Sequence, residues 1–419
     1  MTLHPILVAL RRHKAGVVLI ALQIALTLAI VCNAVFIIGQ RVERIGRPTG
    51  LHEKDLFMVE QTWVGAPSGD DPASIEKLDA LQRADLATLR RLPGVVSVAA
   101  ANTLPLTNNS WGGGVSLKPN QQNATTRSVF YFGDEQLLPT LGLKLIAGRA
   151  FNAGDIVHQG FRDTRTPPIV IVSKPLADSL FPHGDALGKT VYFDGSRATT
   201  IIGIVARLQS SSTSSWSSGF DYNSAIEPVR LDAYFSRYVV RTRPGREQAV
   251  MAAARDALYA ANPMRVISDD PGDDNGIRSF AQIRDQAYRA DKGMAILMGV
   301  ICLILLGVTA AGIVGLTSFW VGQRHRQIGV RRALGARKID ILHYFQIENG
   351  LIAGAGVLLG VLLALGLNQW LMSHYEMTRM PLPYLLTGVL AMLALGQAAV
   401  FVPARRASNV PPVVATRSV

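Results

Sequence analysis

The segment from Gly184 to Thr190 has the residue types of a phosphate-binding loop, two glycines followed by a lysine and a threonine. Such a loop needs one more residue between its glycines, so that backbone N–H groups can surround the phosphates. His183 stands where the first glycine is required, and the segment leads into a predicted strand instead of a helix N-terminus. We therefore predict no nucleotide site here, no ATPase activity of the chain itself and no cofactor.

Acidic residues cluster between Asp269 and Gly276 in a pattern similar to a calcium-binding loop. Pro271 occupies the first ligand position, however, and Gln282 occupies the position of the bidentate acid. We expect a solvated acidic turn. The eight histidines show no metal-ligand spacing, and the sequence contains no Gly-x-Ser-x-Gly nucleophile elbow. The sequence thus predicts neither a metal site nor a catalytic site.

The chain has 419 residues and a formal net charge of +12, which raises the question of nucleic-acid binding. Residues 41–292 carry 29 basic and 27 acidic residues, whereas the rest of the chain carries 13 and 3. Nearly all of those remaining cations flank long apolar runs. Charge in such places orients membrane segments and attracts anionic lipids. We predict contact with membrane lipids and no nucleic-acid partner.

Four apolar runs are long enough to cross a bilayer; the first, at 17–39, spans about 35 Å at about 1.5 Å per residue. A cleaved signal peptide is the alternative for this run, but the run exceeds the apolar core of a signal peptide. The basic flanks predict that both termini are cytoplasmic. The predicted organisation is an interfacial helix (1–16), four transmembrane helices (17–39, 293–323, 346–372, 381–404), an extracytoplasmic domain (40–290), a coupling segment (324–345), an external loop (373–380) and a cytoplasmic tail (405–419).

The domain between the first two runs mixes helical and strand patterns without a sustained parallel order. Asp71 and Pro72 mark a helix start, and Val95–Ala100 has the pattern of a strand. Cys32 and Cys302 both fall in apolar runs, so we expect no disulfide in this domain. The predicted fold class is an α-helical membrane protein with four transmembrane helices and a large α+β extracytoplasmic domain inserted between helices 1 and 2. As a separate expectation, this domain has two lobes.

The segment from Arg324 to Phe345 carries six Lys and Arg residues and one acid. Charge of this kind predicts a loop held on the cytoplasmic side. A helical stripe of Leu334, Ile341, Leu342 and Phe345 accompanies the cations. Two interpretations follow. The loop either only orients its flanking helices, or it contacts a soluble partner and passes force to both of them.

The residue order RQIGVRRALGARKIDIL, from Arg326 to Leu342, resembles the signature of the FtsX/MacB class of ABC-transporter permeases. Two blocks of the outer domain, Leu141–Asp155 and Val170–Gly195, resemble the extracytoplasmic domain of MacB-type permeases. Gln327 departs from the pattern, because the family usually has an acid before Ile-Gly. An ion pair made by that acid is therefore not available to this chain.

The resemblance implies a permease subunit in a bacterial inner membrane that docks on a separate ABC ATP-binding subunit, which binds the ATP. It also implies a second permease chain, in a homodimer or heterodimer, and it allows a periplasmic adaptor protein. The implied activity is coupling of ATP hydrolysis to export of a periplasmic substrate; the alternative is an FtsX-like regulator that switches a partner such as a cell-wall hydrolase. The implied docking residues are Arg324, Arg326, Gln327, Ile328, Gly329, Arg331, Arg332, Leu334, Gly335 and Ala336. The small residues that would let two permease chains approach closely are Ala21, Ala25, Gly307, Ala311 and Gly315.

Overall fold

The computed structural model describes residues 14–67, 71–109, 111–162, 167–193, 195–213, 219–270, 276–375 and 378–409. The interfacial helix predicted at the N-terminus and most of the predicted acidic turn lie outside these ranges. The chain forms two compact units. One unit contains the residues up to Gly46 and from Ala290 onwards, and the other is Arg47–Arg289.

Helices and strands follow one another along the chain with these bounds. The α-helices are α1 (Lys14–Ile45), α2 (Pro72–Arg90), α3 (Leu137–Leu141), α4 (Lys174–Leu180), α5 (Glu247–Ala261), α6 (Phe280–Ala287), α7 (Arg289–Gln323), α8 (His325–Ala333), α9 (Lys338–Tyr375) and α10 (Leu382–Ser408). The strands are β1 (Leu56–Trp63), β2 (Val95–Ala100), β3 (Trp111–Ser116), β4 (Thr126–Phe132), β5 (Leu145–Gly148), β6 (Val157–Gly160), β7 (Ile169–Ser173), β8 (Thr190–Phe193), β9 (Arg197–Val205), β10 (Ser224–Glu227), β11 (Val229–Asp232), β12 (Phe235–Thr242), β13 (Arg265–Val266) and β14 (Ile277–Ser279).

Helices α1, α7, α9 and α10 are long and apolar enough to cross a membrane. The mixed α and β domain lies between α1 and α7 in the chain, so the predicted fold class is confirmed. The helices α1 and α7 continue beyond their apolar runs into charged residues. There Arg41 of α1 forms an ion pair with the buried Asp291 of α7.

Helix α1 packs closely on α9 because two glycines of α9 leave room for it. A Cβ atom at Gly356 would lie 2.8 Å from the carbonyl oxygen of Ala21, and one at Gly360 would lie 3.0 Å from the Cα of Ala25. Neither position could take a larger side chain without moving a helix backbone. Ala21 and Ala25, predicted to serve contact between two chains, are therefore used inside one chain.

The outer domain contains an antiparallel sheet and a mixed sheet. One has five strands in the order β13-β1-β12-β2, with β14 also paired to β1; the other has seven in the order β5-β9-β7-β10-β4-β3-β8. Strands β6 and β11 form a separate parallel pair. In the chain, β6 lies between β5 and β7 of the seven-stranded sheet, and β11 lies between β10 of that sheet and β12 of the five-stranded sheet. Each large sheet has its own core, the first under α2 and α5 and the second under α4.

The core of the five-stranded sheet contains a buried ion pair. Arg265 donates two hydrogen bonds of 2.9 Å to the two carboxylate oxygens of Asp85, and both side chains are at most 1% exposed. Gln61 and Tyr238 also donate to Asp85, while the ring of Trp63 lies 4.5 Å from the guanidinium carbon. The network thus satisfies the buried charges with several partners, which is the condition for such a pair to be stable.

Candidate functional site

The basic segment between the second and third spans consists of two helices and a turn. Helix α8 ends at Ala333, and α9, which is also the third span, begins at Lys338. Gly335 between them has a φ of +95°, a left-handed conformation that glycine adopts at little cost. The predicted single apolar stripe is therefore wrong: Leu334 is 84% exposed at the turn, whereas Phe345 is buried on α9.

The turn at Gly335 is closed by backbone hydrogen bonds on both sides. The N–H of Gly335 donates to the carbonyl of Arg332, and the N–H of Ala336 donates to the carbonyl of Arg331 at 3.0 Å. This pair of bonds is the Schellman arrangement for ending a helix. On the other side, the carboxylate of Asp340 accepts the N–H of Arg337 at 2.9 Å. The turn therefore holds Leu334 in a defined place.

Helix α8 is fastened to the membrane helices by one apolar side chain and two guanidinium groups. Ile328 is 5% exposed and belongs to the core of the membrane unit. Arg324 donates to both carboxylate oxygens of Glu348 on α9, at 2.9 and 3.1 Å. Arg332 donates to the carbonyl of Ser408, at the end of α10, at 2.8 Å. These contacts join α8 to both α9 and α10.

The predicted docking residues separate into two groups according to these contacts. Gly329, like Ile328, is buried, and Ala336 packs against the core of the membrane unit. Arg324 and Arg332 have the partners within the chain described above. Five residues are exposed on the other side: Arg326, Gln327, Arg331, Leu334 and Gly335. Among the predicted docking residues, these five are the most exposed.

Two exposed apolar residues accompany Leu334 and were not among the predicted docking residues. Val330, one helical turn before Leu334, is 44% exposed, and Ile339 at the start of α9 is 54% exposed. The sequence contains a signal for these two residues, because both are apolar and lie within a short segment rich in Lys and Arg. We call Val330, Leu334 and Ile339 the apolar knob.

Glu348 was also absent from the predicted site, although its side chain is only 3% exposed and it holds Arg324. The sequence does contain a signal for it. Glu348 is one of three acids outside residues 41–292, and it lies beside a long apolar run. A buried acid in such a place requires a cationic partner.

Gln327 is exposed and lines a small cleft between α8 and α9. Arg324, Arg331 and Tyr344 line the same cleft, and the guanidinium of Arg331 lies 5.1 Å from the centre of the Tyr344 ring. An acid at position 327 would therefore face two arginines. With an amide at position 327, the residues that line this cleft include two arginines and no acid.

The arrangement presents an apolar knob, formed by the end of α8, the turn and the start of α9, among exposed cations. Such a surface can bind a protein with an apolar pocket and an acidic rim, because burial of the knob supplies affinity and the charges orient the partner. The exposed cations around the knob are Arg326, Arg331, Arg337 and Lys338.

Comparison with known proteins gives consistent matches over both units. Residues 19–258 match the MacB-like periplasmic core domain, and residues 299–412 match the FtsX-like permease C-terminal domain. A macrolide export ATP-binding/permease protein MacB of Paracoccus denitrificans is 27% identical over 98% of this chain and 57% of its own length. That of Chromobacterium violaceum is 26% identical over 65% of this chain and 40% of its own. The chain thus spans about half the length of the curated relatives it matches.

Among solved structures, the periplasmic region of MacB from Actinobacillus actinomycetemcomitans aligns with 58% of this chain and 96% of that one. The alignment has 16% identity and a TM-score of 0.32.

Proposed function

Since the chain belongs to the family of MacB-like permeases with an FtsX-like C-terminal domain, we propose that it is the permease subunit of a MacB-type ABC transporter. In this proposal a separate cytoplasmic ATPase hydrolyses ATP, and the permease converts the resulting movement into rearrangement of its outer domain, for export of a periplasmic substrate. The observation that carries the proposal is the apolar knob on a helix fastened to two spans. The direct test has two parts. A purified ATP-binding subunit should bind the chain, and the rate at which that subunit hydrolyses ATP should change when the chain is bound.

The mechanism follows from the fastenings of α8. A force on the knob reaches α9 through Arg324 and Glu348, and it reaches α10 through Arg332 and the carbonyl of Ser408. Helix α9 in turn contacts α1 closely at Gly356 and Gly360. Movement of one short helix can thus tilt three spans together, since packed helices move as rigid bodies. The outer domain is joined to this membrane unit by the chain at both of its ends, through α1 and through α7.

The orientation is part of the proposal: the termini and the knob are cytoplasmic, and the outer domain is extracytoplasmic. We expect a reporter enzyme that works only in the periplasm to be active when fused after Ser268 and inactive when fused after Lys338. Reporter activity measured in whole cells, corrected for the amount of fusion protein, decides the matter. Equal activity at the two positions contradicts the orientation.

Pairing with a second permease chain is also proposed, with α7 as the contact. Gly307, Ala311 and Gly315 lie on one exposed face of α7, and a Cβ at either glycine would meet nothing within 4 Å. Ile313 on the opposite side is 1% exposed. In a variant without native cysteines, we expect a single cysteine at Ala311 to crosslink two chains in membranes and one at Ile313 not to.

The crosslinking is read as dimer bands on a non-reducing gel after brief oxidation. Equal yields at Ala311 and Ile313, or none at any position from Gly307 to Leu316, would reject α7 as the contact.

A further inference from the structure

Three side chains from separate elements of the outer domain meet at one point. Asp79 comes from α2, His158 from β6 and Asp232 from β11. The Nδ1 atom of His158 lies 3.2 Å from a carboxylate oxygen of Asp79 and 3.2 Å from one of Asp232. All three atoms lie within 4.8 Å of one another. One nitrogen, with at most one proton, thus faces two carboxylates.

The carboxylate of Asp232 has fewer partners than its burial requires. Its side chain is 0% exposed, and His158 is the partner of its Oδ2 atom. Its Oδ1 atom is buried and accepts no hydrogen bond from the described residues. A buried carboxylate oxygen without a donor is costly, so a further cation at this point would stabilise it.

The two separations that involve Nδ1 of His158 fit a small tetrahedral metal ion. For bonds of about 2.0–2.1 Å to nitrogen and oxygen, ligand atoms of a tetrahedral Zn²⁺ site lie about 3.3–3.4 Å apart. The two separations from Nδ1 of His158 are close to that value. The side chain of His158 is 41% exposed, which gives an ion access from solvent and leaves space for a water as fourth ligand.

Two arginines contact Asp79 and bear on this site. Arg230 donates to its Oδ1 atom at 2.8 Å, and Nε of Arg83 lies 2.6 Å from Oδ2. Arg83 also reaches Glu76 at 2.9 Å, so part of its charge is balanced there. The Oδ1 atom that Arg230 contacts is also the one that faces His158. Carboxylates that bind metals are themselves commonly held by outer hydrogen bonds, and the two arginines would hold Asp79 in this way. Among the described residues, no side chain donates a hydrogen bond to the Oδ1 atom of Asp232, so this oxygen is available to a metal ion.

We propose that Asp79, His158 and Asp232 form a site for a divalent cation of the Zn²⁺ type. The site joins α2, which covers the five-stranded sheet, to the β6–β11 pair, in which β11 connects β10 of the seven-stranded sheet to β12 of the five-stranded sheet. A bound ion therefore stiffens the connection between the two sheets. This inference concerns the outer domain alone and does not depend on the proposed transport function.

The test uses the purified full-length chain in detergent, with any affinity tag removed and metals stripped with EDTA. Zn²⁺ is added, unbound ion is removed by desalting, and bound zinc is measured by mass spectrometry; calorimetric titration gives the dissociation constant. We expect one Zn²⁺ per chain and a zinc-dependent rise in melting temperature. Loss of a residue that only holds a metal ligand in place weakens metal binding about 10–100-fold. Asp232→Asn and His158→Gln each remove a proposed ligand, so each should weaken Zn²⁺ binding by more than this.

His183→Gln is the matched control, because it removes an exposed histidine elsewhere in the same domain and should leave binding unchanged. The wild-type chain is also loaded with Co²⁺, whose visible absorption reports tetrahedral coordination without any substitution. A wild-type chain that retains no zinc, or equal affinity in wild type, Asp232→Asn and His158→Gln, overturns the proposal. Loss of binding in the variants with a tetrahedral Co²⁺ spectrum in the wild type supports it.

Discussion

Replacement of Leu334 by Asp is expected to abolish binding of the ATP-binding subunit while leaving the permease folded. The side chain is 84% exposed and contributes to no core, and its place in the turn is held by backbone hydrogen bonds. Folding and membrane insertion should therefore be normal. In a docked complex, however, the carboxylate would be buried without a partner, at a cost of about 2–5 kcal/mol, which is well over tenfold in affinity.

The measurement has two parts: co-purification of the ATPase with wild-type or variant permease, and the rate of ATP hydrolysis after reconstitution into vesicles. We expect lost co-purification and a hydrolysis rate that no longer responds to the permease.

Gln327→Glu is the matched control for this experiment. It adds the same charge to the same segment at another exposed position, and there the acid would face Arg324 and Arg331 across the cleft. Binding should be retained. If Leu334→Asp binds and couples like the wild type, the segment only orients the spans and the docking proposal is wrong. If both variants lose binding equally, the net charge of the segment decides the affinity and the knob does not.

Removal of the buried cation Arg265 is expected to destabilise the outer domain strongly. In Arg265→Met the carboxylate of Asp85, 1% exposed, loses two hydrogen bonds of 2.9 Å and its counter-charge. Breaking one partner of a buried pair costs about 3–5 kcal/mol, because the other charge stays in the core. The free energy of unfolding of the outer domain, from protease resistance of the purified chain in increasing urea, measures this loss.

A second substitution tests the cause of that loss. Asp85→Asn keeps the shape of the side chain and removes its charge, so the double variant should be less destabilised than the sum of the two single variants. Lys174→Met is the control, since it makes the same chemical change in an exposed pair with Asp178 and should cost at most about 1 kcal/mol. A value for Arg265→Met within that range would show that the buried pair contributes little.

The sequence by itself determined the number of spans, the insertion of a mixed α and β domain between the first two, and many local elements. Helix α2 begins at Pro72 behind the cap Asp71, whose carboxylate accepts the N–H groups of Ala73 and Ser74 at 3.1 Å. Strand β2 has the predicted bounds Val95–Ala100. These features depend on residues adjacent in the chain, because apolar length, capping and alternation act over a few residues.

In the coupling segment, the pattern of neighbouring residues did not predict the structure. The apolar spacing of Leu334 and Phe345 was correct for one continuous helix, but Gly335 ends α8 and begins a turn. Glycine permits that conformation without requiring it, so the sequence left the choice open. In the folded chain, Ile328 packs into the core of the membrane unit, and Arg324 and Arg332 bind α9 and α10. With α8 held in this way, Leu334 lies at the surface.

Contacts between distant residues were decided only by the tertiary structure. Small residues at Ala21 and Ala25 indicate that some helix comes close, and the fold determines that this helix is α9 of the same chain. Asp79, His158 and Asp232 are separated by more than seventy residues at each step and have no spacing that predicts a metal site. They meet because β6 pairs in parallel with β11 and both strands lie against α2. Which strands pair depends on which faces become buried in the whole domain. A short stretch of sequence therefore does not predict this pairing.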